Sequence, residues 1–320
     1  MKFDIDYAWT GSQPVATGVI REQLSDFQVS ETLPFVPDGD GEHAYLRVRK
    51  QGNNTGWVGA QIAAFAGVKD VDVSFAGRKD RWAITEQWYS CYLPGQPDPD
   101  WNSLAVDGVE VVEATRHRSK LRRGDLSGNR FKLVVRHLAG DHGEIDTALA
   151  RVRTDGFPNY FGPQRFGRDN GNLVLADRLM NGERLTRNRN MIVSVARSYL
   201  FNRYLSDMIN QHGWSGVDAL EPGQLFGRSR DPQPGEDRLD EDGQAWVAGL
   251  RRLKIGIQER ALRVIPVDLN WSFAGDSLEL AFGLPPGSYA TSLLREVVSF
   301  TEAVHTSPAE VDSRGEKAVG

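Results

Sequence analysis

A single cysteine, Cys91, stands among the 320 residues, which excludes an internal disulfide and a cysteine-built metal site. The longest nearly apolar run, "GWVGAQIAAFAGV", falls short of the roughly 20 residues that a membrane-spanning helix needs. The opening "MKFDIDYAWTGSQP" carries acids where a secretion signal has its apolar stretch, so the chain is expected in the cytoplasm. G-x-G-x-x-G, the phosphate-binding P-loop, H-E-x-x-H and G-x-S-x-G are all missing. The six histidines do not fall at metal-ligand spacings. No cofactor and no metal are therefore expected.

What is present is an ordinary globular composition, 40% hydrophobic and 25% charged, with a net charge of -5. The distribution of charge says more than its sum. Eight Lys or Arg residues lie between Arg116 and Arg136 against the single acid Asp125, whereas the acids gather in stretches such as "RDPQPGEDRLDED". The run reads either as a basic surface for phosphates or as a scattered solvated face.

Along the chain, alternation predicts strands over 17–50 and a helix from Asn54 or Thr55 to Gly67. Further strands follow at "VDVSFAG", "WAITEQWYSCYL", "GVEVVEAT" and "RFKLVVRHL". Helices are predicted at about 144–154, at "LVLADRLMNG" and at "MIVSVARSYLFNRYLSDMINQHG", the last stopping at Gly213. The Pro- and Gly-rich stretch 214–243 reads as a loosely packed loop. A helix near 244–255 precedes the strands "LRVIPVDLNWSF" and "SLELAFGLP" and a final helix, "SLLREVVSFTEA". Strands on both sides of a helical middle suggest one sheet interrupted by an insertion.

With metal, thiol and serine motifs absent, the reactive group of interest is a carboxylate. In "VSFAGRKDRWAITEQW", Asp80 lies between Arg78, Lys79 and Arg81 on a loop joining two extended segments. Flanking cations favour the charged carboxylate, and an ionised aspartate in a pocket can attack as a nucleophile or stabilise a cation at a sugar carbon. Read on charge and spacing alone, a solvated turn is the favoured reading.

The sequence resembles the TruD family of tRNA pseudouridine synthases. The resemblance is carried by the segment around Asp80, "EQLSDFQVSE" (22–31), "GNRFKLVVR" (128–136), "PNYFGPQRFGRDNGNL" (158–173), "ARSYLFNRYLS" (196–206) and "LPPGSYATSLLRE" (284–296), in family order. It implies an isomerase that converts a uridine of tRNA, position 13 in the bacterial members, to pseudouridine without cofactor or metal. The implied architecture is α+β: a pseudouridine-synthase fold with a mixed, largely antiparallel sheet flanked by helices. A discontinuous catalytic domain (1–154 and 265–320) would hold a mainly helical insertion (155–264). By residue matching, Asp80 is the nucleophile. Phe27, Asn129, Phe131 and Tyr289 form the nucleotide pocket, and Arg21 stands where the family usually places a lysine beside the aspartate. Lys79, Arg122, Arg123, Arg165 and Arg168 are implied phosphate contacts. Tyr160, Phe161 and Phe166 are read as structural. The implied partner is tRNA, with no membrane and no protein partner, and a monomer is expected.

The chain departs from the family in three places. The segment 226–256 is a shortened, acidic, Pro-rich stretch; Trp82 replaces a common basic residue; Tyr289 replaces a common phenylalanine. Two rivals remain open at this point: an RNA-binding or tRNA-folding factor that keeps the pocket without turnover, and a glycosidase that would need a second carboxylate, for which Glu86 is the candidate.

Overall fold

In a computed structural model of the chain, residues 3–217, 222–303 and 305 are described, the side chain of Arg168 excepted. The chain divides into two compact units. Among the described residues, one holds 16–140, 268–286, 300–303 and 305; the other holds 3–15, 141–217, 222–267 and 287–299.

The first unit is built on a mixed sheet. Its strands in chain order are β1 (Thr17–Ile20), β2 (Phe27–Thr32), β3 (His43–Gln51), β4 (Val73–Phe75), β5 (Ile84–Tyr92), β6 (Val109–His117) and β7 (Gly128–Ala139). The late hairpin Val267–Ala274 and Ser277–Leu284 extends the sheet beside β7, and the order across it is hairpin, β7, β2, β5, β3, β6. β2 and β5 run parallel, whereas β3, β6 and the hairpin join their neighbours antiparallel. Side chains alternate between the two faces of a strand, so the register fixes which residues can meet. Phe27, Val29 and Glu31 of β2 stand opposite Leu133, Phe131 and Asn129 of β7, which stand opposite Leu280, Phe282 and Leu284 of the hairpin. On the same face β3 presents Ala44, Leu46, Val48 and Lys50 to Cys91, Tyr89, Gln87 and Thr85 of β5. Helix α1 (Thr55–Ala66) ends at Gly67 in the left-handed conformation and buries Val58, Ile62 and Ala63 against Leu46, Val48 and Tyr89. Gly128 is required at the start of β7, because a Cβ there would lie 2.6 Å from the Leu284 carbonyl oxygen.

The second unit is mainly helical: α2 (His142–Asp155), α3 (Gly171–Met180), α4 (Arg189–Val217) and α5 (Glu241–Arg252). As expected from the sequence, α4 is interrupted at Gly213, whose φ of 67° and ψ of 169° are not helical. Of the stretch 214–243, residues 218–221 lie outside the described residues; among the rest, Trp214, Val217, Phe226 and Leu239 sink into the core, and α5 starts early on an Asp240 cap. This unit also gathers residues placed elsewhere by the sequence division. Tyr7 stacks on Tyr160 at 5.1 Å, Phe3 meets Tyr199 and Trp246, and Tyr289 meets Phe161. Aromatic packing thus draws in both 1–15 and 287–299. Tyr160, Phe161 and Phe166 are buried, in keeping with their structural reading.

The final helix differs most from expectation. Only Ala290–Leu294 is helical, and Ser299–Glu302 is a strand paired with β1, with the Ala303 amide donating to the Ile20 carbonyl. The dense run of Val297, Val298, Phe300 and Thr301 favours extended backbone, and the free edge of β1 supplies its partner. Among the described residues no helix is long and apolar enough to cross a membrane, and no group of three or more His, Cys, Asp or Glu could hold a metal ion.

Candidate active site

The loop between β4 and β5 carries Asp80 and is fastened to the sheet residue by residue. Gln87 donates its amide to the Gly77 carbonyl, and the Thr55 hydroxyl both accepts from the Lys79 amide and donates to the Gln87 side chain. The Lys79 ammonium meets the Glu31 carboxylate at 2.6 Å, a pair in which Lys79 is 7% exposed and Glu31 not at all. Lys50, fully buried, donates to the carbonyls of Asn53 and Asp80, each at 2.9 Å. With both sides of the backbone held, the Asp80 side chain is the projecting part, 48% exposed.

Among the described residues one cation is ion-paired with that carboxylate. Arg21 Nη2 lies 2.7 Å from Asp80 Oδ2, its Nη1 3.5 Å from Glu302, and its guanidinium carbon 4.2 Å from the centre of the Phe27 ring. Arg21 adopts φ of 60°, a left-handed backbone that a non-glycine residue takes at a cost. The His305 ring lies 2.5 Å from the Arg21 carbonyl and stacks on Trp82 at 4.5 Å. Phe27 in turn meets Phe131 edge-on at 6.2 Å, and Phe282 stacks on Phe131 at 5.4 Å. Asp80, Arg21, Phe27 and Phe131 therefore form one continuous series on a single face of the sheet. Asn129 shares that face, and its side-chain oxygen is buried with no hydrogen-bond partner among the described residues.

Other sequence expectations are redistributed. Lys79, implied as a phosphate contact, is a buried counter-ion that supports the loop. The run from Arg116 to Arg136 does not fold into one basic surface. Alternation along β7 sends Arg130, Lys132 and Arg136 to the face opposite Asn129 and Phe131; Arg136 pairs with Asp26, Arg130 with Asp268, and Arg116 with Asp98. Arg122 and Arg123 stay exposed on the turn before β7. Glu86 lies on the opposite face from Thr85 and Gln87 and is taken up by Arg47 and Arg49, so it cannot act as a second carboxylate beside Asp80. A groove of about 370 Å³ bordered by Gln28, Ser30, Glu86 and Lys132 belongs to that opposite face too. Tyr289 and Arg165 belong to the helical unit, and Arg168 lies on a short helix there, its side chain outside the described residues.

Lys50, Glu31, Thr55, Gln87 and Glu302 were not singled out as site residues from the sequence. A signal existed for two of them: Lys50 and Glu31 fall at inward positions of otherwise apolar alternations, Ala44-Leu46-Val48-Lys50 and Phe27-Val29-Glu31. An inward charge on a strand demands a buried partner.

Burial pushes the Lys50 ammonium down to about 8, against a smaller upward pull from the Asp80 charge. The unfolded chain then binds the extra proton between pH 8 and about 10, so this residue adds stability as pH rises through that window. The buried Cys91 thiol, pushed up to about 11, acts in the opposite sense. The measurable quantity is therefore a difference. In urea unfolding, wild type should gain on Lys50→Met by about 1.4 kcal/mol per pH unit between pH 8 and 10. A constant gap between the two proteins would show that Lys50 does not titrate there.

A family model described as tRNA pseudouridine synthase D (TruD) matches residues 3–184. A curated tRNA pseudouridine synthase D of Nitrosococcus oceani is 40% identical, covering 93% of this chain and 95% of its own. One from Methylococcus capsulatus is 41% identical, covering 88% and 91%. A crystal structure from Methanosarcina mazei, assigned as a tRNA pseudouridine synthase D, aligns with a TM-score of 0.57 at 18% identity, covering 93% of this chain and 96% of that one. At that identity the likeness concerns the fold, and it agrees with the mixed sheet and helices described above.

Proposed function

This chain belongs to the tRNA pseudouridine synthase D family, and from that premise we propose that it isomerises a uridine of tRNA, uridine 13, with Asp80 as nucleophile. The observation that carries the proposal is the half-exposed Asp80 carboxylate, on a loop pinned from beneath, aimed by Arg21 beside Phe27 and Phe131.

The target base must leave its stack, at a cost of a few kcal/mol. Aromatic contact returns about 1 to 3 kcal/mol per base, and Phe27 and Phe131 supply the apolar floor on which it is received. The unpartnered Asn129 oxygen can accept a hydrogen bond from the uracil imide N–H. Asp80 then attacks the ribose C1′ or the uracil C6. The N1–C1′ bond breaks, the base turns, a C5–C1′ bond forms, the bond to Asp80 breaks and frees its carboxylate, the C5 proton departs and N1 takes up a proton. Electrons and atoms balance within the nucleotide and water, so the step calls for no redox partner. While Asp80 is esterified its charge is spent, and Glu302 keeps Arg21 in place. In this reading the sheet unit carries the chemistry, and the helical middle corresponds to the family's insertion.

The test is release of tritium from tRNA labelled at uridine C5, with pseudouridine mapped at position 13 of the product. Binding of tRNA without release by wild type would instead mark an RNA-binding protein that keeps the pocket but not the turnover.

A further inference from the structure

The loop that carries Asp80 also presents an aromatic ring that the proposed chemistry does not use. Trp82 stands just after Asp80 and just before β5, and it is only partly buried. Its indole N–H has no hydrogen-bond partner among the described residues, whereas Trp101, Trp214 and Trp246 each donate theirs to an acceptor within the chain. What meets the ring is the His305 imidazole, 4.5 Å away between centres and 17° from parallel. The Arg81 guanidinium carbon lies 5.6 Å from the indole centre. A flat ring laid parallel on an indole is the way a nucleobase seats on a tryptophan.

His305 is lightly held. The terminal strand ends at Glu302, and the Ala303 amide, bonded to the Ile20 carbonyl, is the last backbone contact among the described residues. Beyond it, His305 is fixed by the stack on Trp82 and by one hydrogen bond from Nε2 to the Arg21 carbonyl, with no ion pair among the described residues. The reaction creates a matching need. Drawing a uridine out of its stack also strips the neighbouring base of one stacking partner. A nucleobase has a broader face than an imidazole and gains more from the indole. Arg78 and Arg81, on the same loop, have no acid paired with them among the described residues, so a polyanion is drawn toward the ring.

We propose that the Trp82 face is a binding site for a nucleobase next to the target uridine, and that His305 covers this face until RNA arrives. The site rests on the reading of this protein as a tRNA-modifying enzyme. Two tRNAs, carrying 2-aminopurine on one side or the other of the target uridine, make the test. One of them should lose fluorescence on binding wild type and keep it on binding Trp82→Ala. Trp82→Ala should bind tRNA roughly tenfold more weakly, the scale of one lost base stack, and Trp82→Phe, which keeps a ring, should retain most of the affinity. His305→Ala should bind roughly fivefold more tightly, because a stack and a hydrogen bond no longer have to be given up. In the Trp82→Ala background the same change should add nothing, since no face is left to uncover. Unchanged affinity and quenching in Trp82→Ala would overturn the site. So would a His305→Ala protein with lower kcat and unaltered affinity, which would make the histidine a support for Arg21 and not a cover. Should Trp82→Ala not fold, His305→Ala, beyond the last strand, is read by the same affinity measurement. Wild type that quenches the labelled base but releases no tritium would sink the enzymatic reading and leave the site standing; turnover with a Trp82→Ala protein of unchanged affinity and quenching would do the reverse.

Discussion

Asp80→Asn is expected to lower tritium release from C5-labelled tRNA by at least about 10³-fold, the scale of loss when a covalent nucleophile is removed. Asparagine keeps the shape but not the charged oxygen that bonds to carbon. Stability should scarcely change. Asp80 is 48% exposed, and an exposed pair such as Asp80 with Arg21 contributes about 1 kcal/mol or less. The backbone contacts that fix the loop, from Gln87, Thr55 and Lys50, do not involve the Asp80 side chain. Affinity for tRNA should hold or rise slightly, since the substitution removes a negative charge beside a polyanion. Activity of Asp80→Asn within tenfold of wild type would remove the nucleophile assignment, and weak binding with normal melting would reassign Asp80 to recognition.

The second large effect is on stability. Glu31→Ala leaves the Lys79 ammonium buried without its counter-ion, and breaking a buried pair in this way costs about 3 to 5 kcal/mol. The Trp88 amide also loses its acceptor, the other Glu31 oxygen. The loss should appear as a shift of the urea midpoint. Turnover should fall further than the folded fraction does, because Lys79 precedes Asp80 and its displacement moves the carboxylate. Removing both charges together, as Glu31→Leu with Lys79→Met, should recover most of the stability, since an apolar pair of similar volume replaces a desolvated one at little cost. A loss below about 1 kcal/mol in Glu31→Ala would mean that the pair behaves as a solvated surface contact.

Both predictions concern one loop, and its two charged neighbours were not equally legible. Asp80 stood out because a lone acid among three cations is visible in four consecutive letters. Glu31 lies 48 residues from Lys79, and Lys50 lies 30 from Asp80. Each is an ordinary charge until strand register turns it inward. The basic run from Arg116 to Arg136 shows the converse. Eight cations in sequence looked like a surface, but the period of two along β7 and partners as distant as Asp26 and Asp268 divided them. The last helix failed for a related reason. Local pattern suggested a turn followed by helix, and the unpaired edge of β1 converted the last part of it to strand.

The sequence by itself determined the family, through ordered motifs spread along the chain, and with it the mixed sheet, the helical middle and the lack of an internal disulfide. Propensity, capping and alternation act over a few residues, so these features are written locally. The tertiary structure alone decided which charges pair within the protein and which do not. That choice depends on partners tens to hundreds of residues away, and on burial that makes an unpaired charge expensive. Arg136 and Lys79 are consumed, whereas Arg21 is aimed at Asp80 and Arg165 and Arg260 remain without an acid among the described residues.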